Sequence, residues 1–302
     1  GLLTLSLMGP FGVGARCVLV ARAGMSLVFP QVPIELLGFI FLFSCGFLLL
    51  RKGNVVNVIG RFLTPLLLAG LITIILVSFF SPGSAMESTA TISENLRLGA
   101  LQGYQMMDLL AAIFFGHSIY MYLQKSLKNH SLKEGYKLSL AAGILGASML
   151  ALLYAGLVAM GAHHAADLQG VDPEQHLATI AHIVLGPVAL VMTSSIVALA
   201  CLTTLCVLME LFADFLRFKL LPKDSINRTN SILVTLSITF FVSLAGFFTL
   251  ATWIGMALKL IYPALIVFSL LRLLQIKNYL SERQVQIFSA LALVFCFFLV
   301  KL

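Results

Sequence analysis

An acidic residue inside a long apolar segment is the first feature that could do chemistry. Asp108 lies between Gly103 and Gly116 in a stretch that is otherwise typical of a membrane span. A charged side chain in hydrocarbon costs several kcal/mol, so an intramembrane acid is a candidate for function. Asp108 is either a structural acid, capping a helix or bonded to a neighbouring span, or part of a binding site. In the second alternative the helix unwinds near Gly103 or Gly116 and exposes backbone groups to a small zwitterion.

A second candidate site is a group of oxygen atoms further along the chain. Ala200, Thr203 and Thr204 have the spacing i, i+3 and i+4, which places them on one face of a helix. One backbone carbonyl and two hydroxyls there would give three hard oxygen ligands to a small cation such as Na⁺. The alternative is that the hydroxyls bond to their own helix backbone or join neighbouring helices.

The elements that must position these residues are membrane-spanning helices. Apolar residues make up 60% of the 302-residue chain, charged residues make up 10%, and the mean hydropathy is +1.04. Soluble domains are about 25% charged, and a helix needs about 20 apolar residues to cross the hydrocarbon core. We predict an all-α, polytopic transmembrane bundle, a single domain over residues 1–302, with nine spans near 2–21, 34–50, 55–80, 98–123, 138–161, 184–215, 231–248, 254–274 and 285–302.

Two long loops interrupt this pattern. The loop from Ser81 to Arg97 has no apolar period and is predicted to be an irregular cap. The loop from Ala162 to Leu185 contains Asp172 and Pro173 as a helix start, and Gly186 and Pro187, which follow it directly, are the stop. It therefore predicts a short helix across an external vestibule.

Basic residues give the orientation. Cytoplasmic loops carry the excess of Lys and Arg, and the other set of loops holds only Arg22 and Arg97. The basic set, which we place in the cytoplasm, is Arg51, Lys52, Lys125, Lys128, Lys133, Lys137, Arg217, Lys219, Lys223, Arg228, Arg272, Lys277 and Arg283. The net charge of +7 is thus a membrane signal, and we predict no nucleic-acid partner.

Other reactive residue types do not form a recognisable site. The cysteines fall inside apolar stretches without the spacing of a metal site, and we predict that they only pack; they are Cys17, Cys45, Cys201, Cys206 and Cys296. His163 and His164 lie in an outer loop, too few ligands for zinc. The spans hold no HExxH or GxSxG motif and no paired aspartates. We predict neither an enzyme nor a bound cofactor or metal, beyond a coupling cation.

Four motifs occur in the order of a known family. They are GPFGVGAR in the first span, NVIGRFLTPLLL in the third, GYQMMDLLAAIFFG in the fourth and ACLTT in the sixth. Together they resemble the bacterial branched-chain amino acid carrier family, and the resemblance runs along nearly the whole chain. The resemblance implies a cation-coupled importer of leucine, isoleucine and valine in the bacterial cytoplasmic (inner) membrane.

The same resemblance implies a fold of two five-helix inverted repeats with discontinuous helices. The nine spans would match the third to eleventh of the family, so that the first two helices are missing from this sequence. The fourth span would be the broken first helix of the second repeat. The sixth span would lend Ala200, Thr203 and Thr204 to a sodium site.

The sequence therefore predicts a symporter driven by a Na⁺ or H⁺ gradient. The hydroxyl face favours Na⁺, whereas histidines and acids near the pathway would support H⁺. Backbone around Gly103–Asp108 would meet the amino and carboxylate groups of the substrate, and phenylalanines its aliphatic side chain. The predicted substrate site is Gly103, Tyr104, Gln105, Met107, Asp108, Phe114, Phe115 and Gly116. The alternatives are a transporter of another hydrophobic amino acid or small zwitterion, and a non-transporting scaffold or receptor.

Overall fold

The described part of the chain is entirely helical. A computed structural model describes residues 9–50, 55–86, 91–104, 106–112, 116, 132–217 and 226–276. Its helices are α1 (Val13–Val28), α2 (Ile34–Leu50), α3 (Val55–Phe80), α4 (Ile92–Tyr104), α5 (Leu132–His163), α6 (His176–Leu185), α7 (Pro187–Phe215), α8 (Arg228–Ser243) and α9 (Phe247–Ile276). No strand occurs in these ranges, so the predicted all-α class is confirmed for them.

Several of these helices have the length and composition of membrane spans. Lys137–His163, Pro187–Phe215 and Phe247–Arg272 are long and apolar enough to cross a bilayer. Shorter apolar helices are Ile34–Leu50 and Pro65–Phe80. These five stretches correspond to predicted spans, whereas the predicted span 285–302 lies outside the described residues.

Two predicted boundaries were wrong, each for a local reason. The first span was placed at 2–21, but α1 begins at Val13 because residues 9–12 form a turn rich in Gly and Pro. The loop 81–97 was predicted to be irregular, but α4 already begins at Ile92. Thr91 and Glu94 form a capping box there: the Glu94 carboxylate accepts from the Thr91 amide (2.9 Å), and the Thr91 hydroxyl accepts from the Glu94 amide (3.4 Å).

The chain divides into two compact units. One comprises Gly1–Ser88 and Gly116–Phe247, and the other comprises Thr89–Phe115 and Phe248–Leu302. In the first unit α7 is the central helix and packs against α1, α2, α3, α6 and α8. Its contact with α1 is the most extensive, and small residues on α1 allow it: Gly14, Ala15, Cys17, Ala21 and Gly24 are all buried. The predicted single domain over 1–302 stays a prediction.

The predicted short helix before the sixth span is present. A 3-10 turn at Pro173–Gln175 leads into α6, which ends at Leu185; Gly186, with φ 83°, caps it before Pro187 opens α7. The apolar face of α6 contributes Ile180 and Ala181 to a core shared with α3 and α5. This helix is therefore packed onto the first unit and is not a free loop.

The described cysteines lie within the helix packing, as free thiols. The Sγ atoms of Cys45 on α2 and Cys206 on α7 are 3.4 Å apart, and Cys17 on α1 lies against Cys201 on α7. These contacts join α7 to α1 and α2. Cys296 lies outside the described residues.

The close contact between α1 and α7 gives a prediction about stability. A Cβ atom at Gly14 would lie 2.6 Å from the carbonyl oxygen of Gly9 and 2.7 Å from the terminal methyl of Met209. We expect Gly14→Ala to destabilise the protein by about 1–3 kcal/mol, because an overpacked core must shift its backbone. The thermal unfolding midpoint of the purified protein in detergent measures the effect.

The matched control is Gly143→Ala on α5. Gly143 is exposed, and an added Cβ there meets no atom within 4 Å. Alanine is a better helix former than glycine by about 0.5–1 kcal/mol. The thermal unfolding midpoint of Gly143→Ala should therefore equal or exceed that of the unmodified protein. Equal midpoints for the two variants would show that the space between Gly14, the Gly9 carbonyl and Met209 is not this tight.

Candidate functional site

The segment that contains Asp108 is an interrupted helix. Helix α4 ends at Tyr104, Met106 and Met107 are not helical, and helical structure resumes at 108–112. The amide of Met106 donates to the carbonyl of Gly103 (3.2 Å), and the amide of Ala111 donates to the carbonyl of Met107 (2.9 Å). The break lies just beyond Gly103, one of the two glycines at which unwinding was predicted.

Met107 adopts a backbone conformation that side chains rarely tolerate. Its φ is 60°, the only positive φ of a non-glycine residue in the described ranges. This left-handed conformation costs an L-residue roughly 1–2 kcal/mol, and such strain persists where the surroundings impose it, often at functional sites. The side chain of Met107 is 2% exposed, and Leu110 beside it is fully buried. Packing of these two apolar side chains holds the interruption in place.

The interruption leaves backbone groups that its own helix cannot satisfy. The first amides of a helix and the last carbonyls of the preceding one lack partners within the helix. Here the amides at the start are those of Asp108, Leu109 and Leu110, and the carbonyls belong to the last turn of α4. An anionic group is favoured near the amides and a cationic group near the carbonyls. A zwitterion carries one group of each kind.

Tyr262 on α9 is a further candidate, which the sequence interpretation missed. It is 5% exposed and faces the backbone of Leu109 and Leu110, next to the Asp108 carboxylate. A buried tyrosine hydroxyl normally needs a polar partner, so a tyrosine within an apolar span was a usable signal. Nothing in the sequence indicated which span Tyr262 would face.

The other predicted substrate residues are described in part. Gly103 is exposed, and a Cβ there would meet nothing within 4 Å. Asp108 and Gly116 are also exposed. The backbone of Tyr104 closes α4, while its side chain is not among those described. Gln105, Phe114 and Phe115 lie outside the described residues, so their roles stay predictions.

The predicted cation ligands lie on the central helix of the first unit. The Thr203 hydroxyl donates to the carbonyl of Ala200 at 2.9 Å, so two of the three predicted ligands are neighbours within one turn of α7. Thr203 is half-buried and Thr204 is exposed. A threonine hydroxyl in a helix commonly donates such a bond to a backbone carbonyl one turn earlier in the same helix. It leaves lone pairs on both oxygens, so the arrangement is compatible with either alternative.

The 3-10 turn before α6 places the acidic side chain of Glu174 near Arg22 on α1. Glu174 is partly buried, and burial raises the pKa of its carboxyl, while Arg22 nearby opposes this rise. The turn packs against α1. The predicted outer face of the first unit therefore contains acid and base close together.

Apolar helices of spanning length make the protein a multi-pass membrane protein. Its sequence matches, over residues 8–301, the family described as branched-chain amino acid transport protein, and the chain belongs to this family. The resemblance seen in the four motifs is confirmed.

The names of curated relatives agree with this family assignment. The chain is 33% identical to the branched-chain amino acid permease BrnQ of Haemophilus influenzae over 248 residues, which are 78% of this chain and 56% of that protein. It is 27% identical to the branched-chain amino acid permease BraB of Bacillus subtilis over 250 residues, 80% of this chain and 54% of that one. The chain thus spans about half the length of these relatives. Their names describe transport, not catalysis. No solved structure matches the chain significantly.

Proposed function

We propose that the protein of this chain imports branched-chain amino acids across the bacterial cytoplasmic membrane, driven by a Na⁺ or H⁺ gradient. The observation that carries the proposal is the interruption of α4 before Asp108, with Met107 at φ 60°. Family membership supplies the substrate class. The predicted five-plus-five inverted-repeat fold belongs to this proposal, because discontinuous helices at the bilayer midplane are typical of it.

The interruption would bind the charged end of the substrate. The amides that begin the helical segment 108–112 suit a carboxylate, which would share those of Leu109 and Leu110 with the Tyr262 hydroxyl, and the terminal carbonyls of α4 suit an ammonium group. The Asp108 carboxylate adds a negative charge for the ammonium group. Backbone groups recognise any α-amino acid, so this part of the site would not choose among side chains.

Apolar residues would determine which substrate side chains the site accepts. Met107 and Leu110 are buried beside the interruption, and Phe114 and Phe115 are predicted to complete the pocket. Leucine, isoleucine and valine differ by few methylene groups, each worth about 1–3 kcal/mol in a pocket. Broad specificity among the three is therefore expected, with rejection of charged side chains.

Cation binding would change the affinity for the substrate by shifting the equilibrium between the outward-open and closed conformations. A ligand shifts an equilibrium only by its differential affinity for the two states. A cation that favours the outward-open state would raise the affinity for external substrate, and substrate would then favour closure. Ala200, Thr203 and Thr204 are the proposed ligands if the ion is Na⁺.

Two substitutions of Thr203 distinguish between a hydroxyl that binds Na⁺ and one that bonds only to the backbone of its own helix. Thr203→Val keeps the shape of the side chain and removes its oxygen, whereas Thr203→Ser keeps the oxygen. If Thr203 binds Na⁺, we expect the Na⁺ concentration for half-maximal leucine uptake to rise about tenfold or more in T203V and to change little in T203S. An unchanged Na⁺ dependence in T203V would assign the hydroxyl to its own helix alone.

The proposal as a whole is tested by radiolabelled leucine uptake. The full-length protein is reconstituted into liposomes, and accumulation is measured with an inward Na⁺ gradient, an inward H⁺ gradient, or neither. We expect accumulation with one of the two gradients only, and competition by isoleucine and valine but not by lysine. A scaffold or receptor would bind leucine without gradient-driven accumulation, and that result would end the symport proposal.

A further inference from the structure

An apolar groove runs between α2 and α8 on the surface of the first unit. The two helices pack against each other, and the space between their exposed faces has a volume of about 470 Å³. Leu42 and Leu236 are buried and form its floor. Exposed phenylalanines form its walls; they are Phe39, Phe43, Phe47 and Phe241. The substrate and cation sites proposed above use none of these residues.

The groove suits hydrocarbon and not an amino acid or an ion. Ser237 is the one polar residue among the described residues that line it, and its hydroxyl donates to the Leu233 carbonyl of its own helix at 2.8 Å. A charged ligand would lose its hydration there without compensation. Phe43 and Phe241 are 67% and 69% exposed, so an apolar occupant would remove a large apolar surface from contact with water.

The length of the groove matches one leaflet of a bilayer. From Phe39 to Leu50, helix α2 rises about 16 Å at 1.5 Å per residue, and half of a hydrocarbon core is about 15 Å thick. At the predicted outer end, the rings of Phe39 and Phe240 meet edge to face with centroids 6.1 Å apart. These rings close that end, so a hydrocarbon chain would enter at Leu50, where α2 ends on the predicted cytoplasmic side.

A cationic side chain lies at this cytoplasmic end. Arg228 is the first residue of α8, and its Nη1 donates to the carbonyl of Leu49 in the last turn of α2 (3.3 Å). Its Nη2 pairs with Glu210 on α7 at 2.6 Å, and the Arg228 side chain is still 33% exposed. A guanidinium has five N–H donors, so these two bonds leave donors for a further anion. The groove and Arg228 together therefore fit a molecule with an apolar tail and a polar head.

The charge of this region favours an anionic head. The ion pair at the end of the groove is neutral, and Asp214 and Arg217 at the end of α7 add one charge of each sign. In the sequence, Arg51 and Lys52 follow α2 directly, so the balance is positive. Basic residues at the cytoplasmic ends of spans attract the head groups of anionic lipids.

We propose that the groove between α2 and α8 binds an anionic phospholipid of the inner leaflet. One acyl chain lies along the phenylalanines, and the phosphate lies at Arg228. The bound chain fills the space between the two helices and stabilises their packing. Such a lipid is distinct from the surrounding bilayer, because it is selected by its head group and held by a groove of limited length.

Photo-cross-linking of the full-length protein tests the choice of lipid. Liposomes of phosphatidylcholine contain a trace of phosphatidylglycerol with a diazirine in its acyl chain, or of phosphatidylcholine with the same chain. We expect the phosphatidylglycerol probe to label the groove residues of α2 and α8 about tenfold more than the other probe, and excess unlabelled phosphatidylglycerol to compete. Equal labelling by both probes would overturn the proposal. So would no labelling of these helices, because a second copy or another segment would then cover the groove.

Filling the groove separates this site from general contact with lipid. Ser237→Phe adds a ring inside the groove from an exposed position, whereas Ser237→Ala leaves the groove open. We expect S237F to lower phosphatidylglycerol labelling about tenfold and S237A to retain it. If S237F fails to fold, Leu233→Trp fills the groove from a 50% exposed position. Equal labelling of the filled and open variants would show that the lipid does not occupy the groove.

The role of Arg228 is tested together with its partner, so that no charge is left unpaired. Glu210→Gln frees the guanidinium for phosphate, and we expect the ratio of phosphatidylglycerol to phosphatidylcholine labelling to rise. Adding Arg228→Gln in the E210Q protein should lower this ratio below that of the unmodified protein. An unchanged ratio in the double variant would contradict a phosphate at Arg228.

Lipid binding should also raise the stability of the protein, since a ligand that binds only the folded state stabilises it. In detergent, added phosphatidylglycerol should raise the thermal unfolding midpoint of the unmodified protein and of S237A more than phosphatidylcholine does. S237F should lose this difference between the two lipids. The absence of such a difference in the unmodified protein would contradict a selective lipid site.

Discussion

Replacing Met107 by isoleucine should lower the rate of leucine uptake about tenfold, whereas replacing it by leucine should leave most of the activity. The two side chains are isomers, so burial and volume are matched at this 2% exposed position. Isoleucine branches at Cβ, and branched residues tolerate φ near 60° least. An added strain of about 1–2 kcal/mol would favour another backbone path through the interruption. Initial uptake rates in liposomes measure the difference.

Surface expression and monodispersity in detergent must be equal for the two variants, so that the comparison reports the site and not the yield of protein. If M107I and M107L transport equally well, the left-handed conformation of Met107 is not needed for uptake. The site would then not depend on the local backbone path that we describe.

Removing the charge of Asp108 should lower uptake by about tenfold to a hundredfold. Asp108→Asn keeps the size of the side chain and a hydrogen-bonding oxygen, and loses the negative charge offered to the substrate ammonium group. A hydrogen bond to a charged group contributes about 1.5–3 kcal/mol, and about 1.4 kcal/mol corresponds to a factor of ten. The loss should appear as a higher KM for leucine.

The matched control is Glu94→Gln, fourteen residues earlier in the chain and in the same unit. Glu94 is exposed and caps the start of α4 through Thr91, so its loss removes one negative charge without touching the interruption. We expect near-normal uptake. If D108N transports normally and only its thermal stability falls, Asp108 is a structural acid, which was the other alternative that the sequence left open.

The sequence was sufficient where composition determines the outcome. A continuous apolar run of about 20 residues has few alternatives to a spanning helix, and α2 and α3 begin and end at the predicted residues. The short helix before α7 was also predictable, because Pro173 and Gly186 mark its ends through backbone geometry. Family membership followed from motifs that occur in order along the chain.

The sequence was insufficient where tertiary packing decides. It indicated that the fourth span would unwind near a glycine, but the strained residue is Met107, and only burial of its side chain explains why methionine stands there. It did not predict that Tyr262 would face the same backbone, because periodicity does not say which spans are neighbours. The hydrogen bond between Thr203 and Ala200 keeps both interpretations of the hydroxyl face open, and only the behaviour of variants separates them.

The central claim is that the substrate binds at the interruption of α4, and protection of an introduced thiol tests it most directly. In a full-length protein without its native cysteines, Gly103→Cys places a thiol where a Cβ meets no atom within 4 Å, and Gly99→Cys does the same one turn earlier on α4. We expect saturating leucine to slow alkylation at position 103 about tenfold or more and to leave position 99 unchanged, while lysine protects neither. Equal alkylation of Gly103→Cys with and without leucine, in protein that still accumulates leucine, would contradict the account.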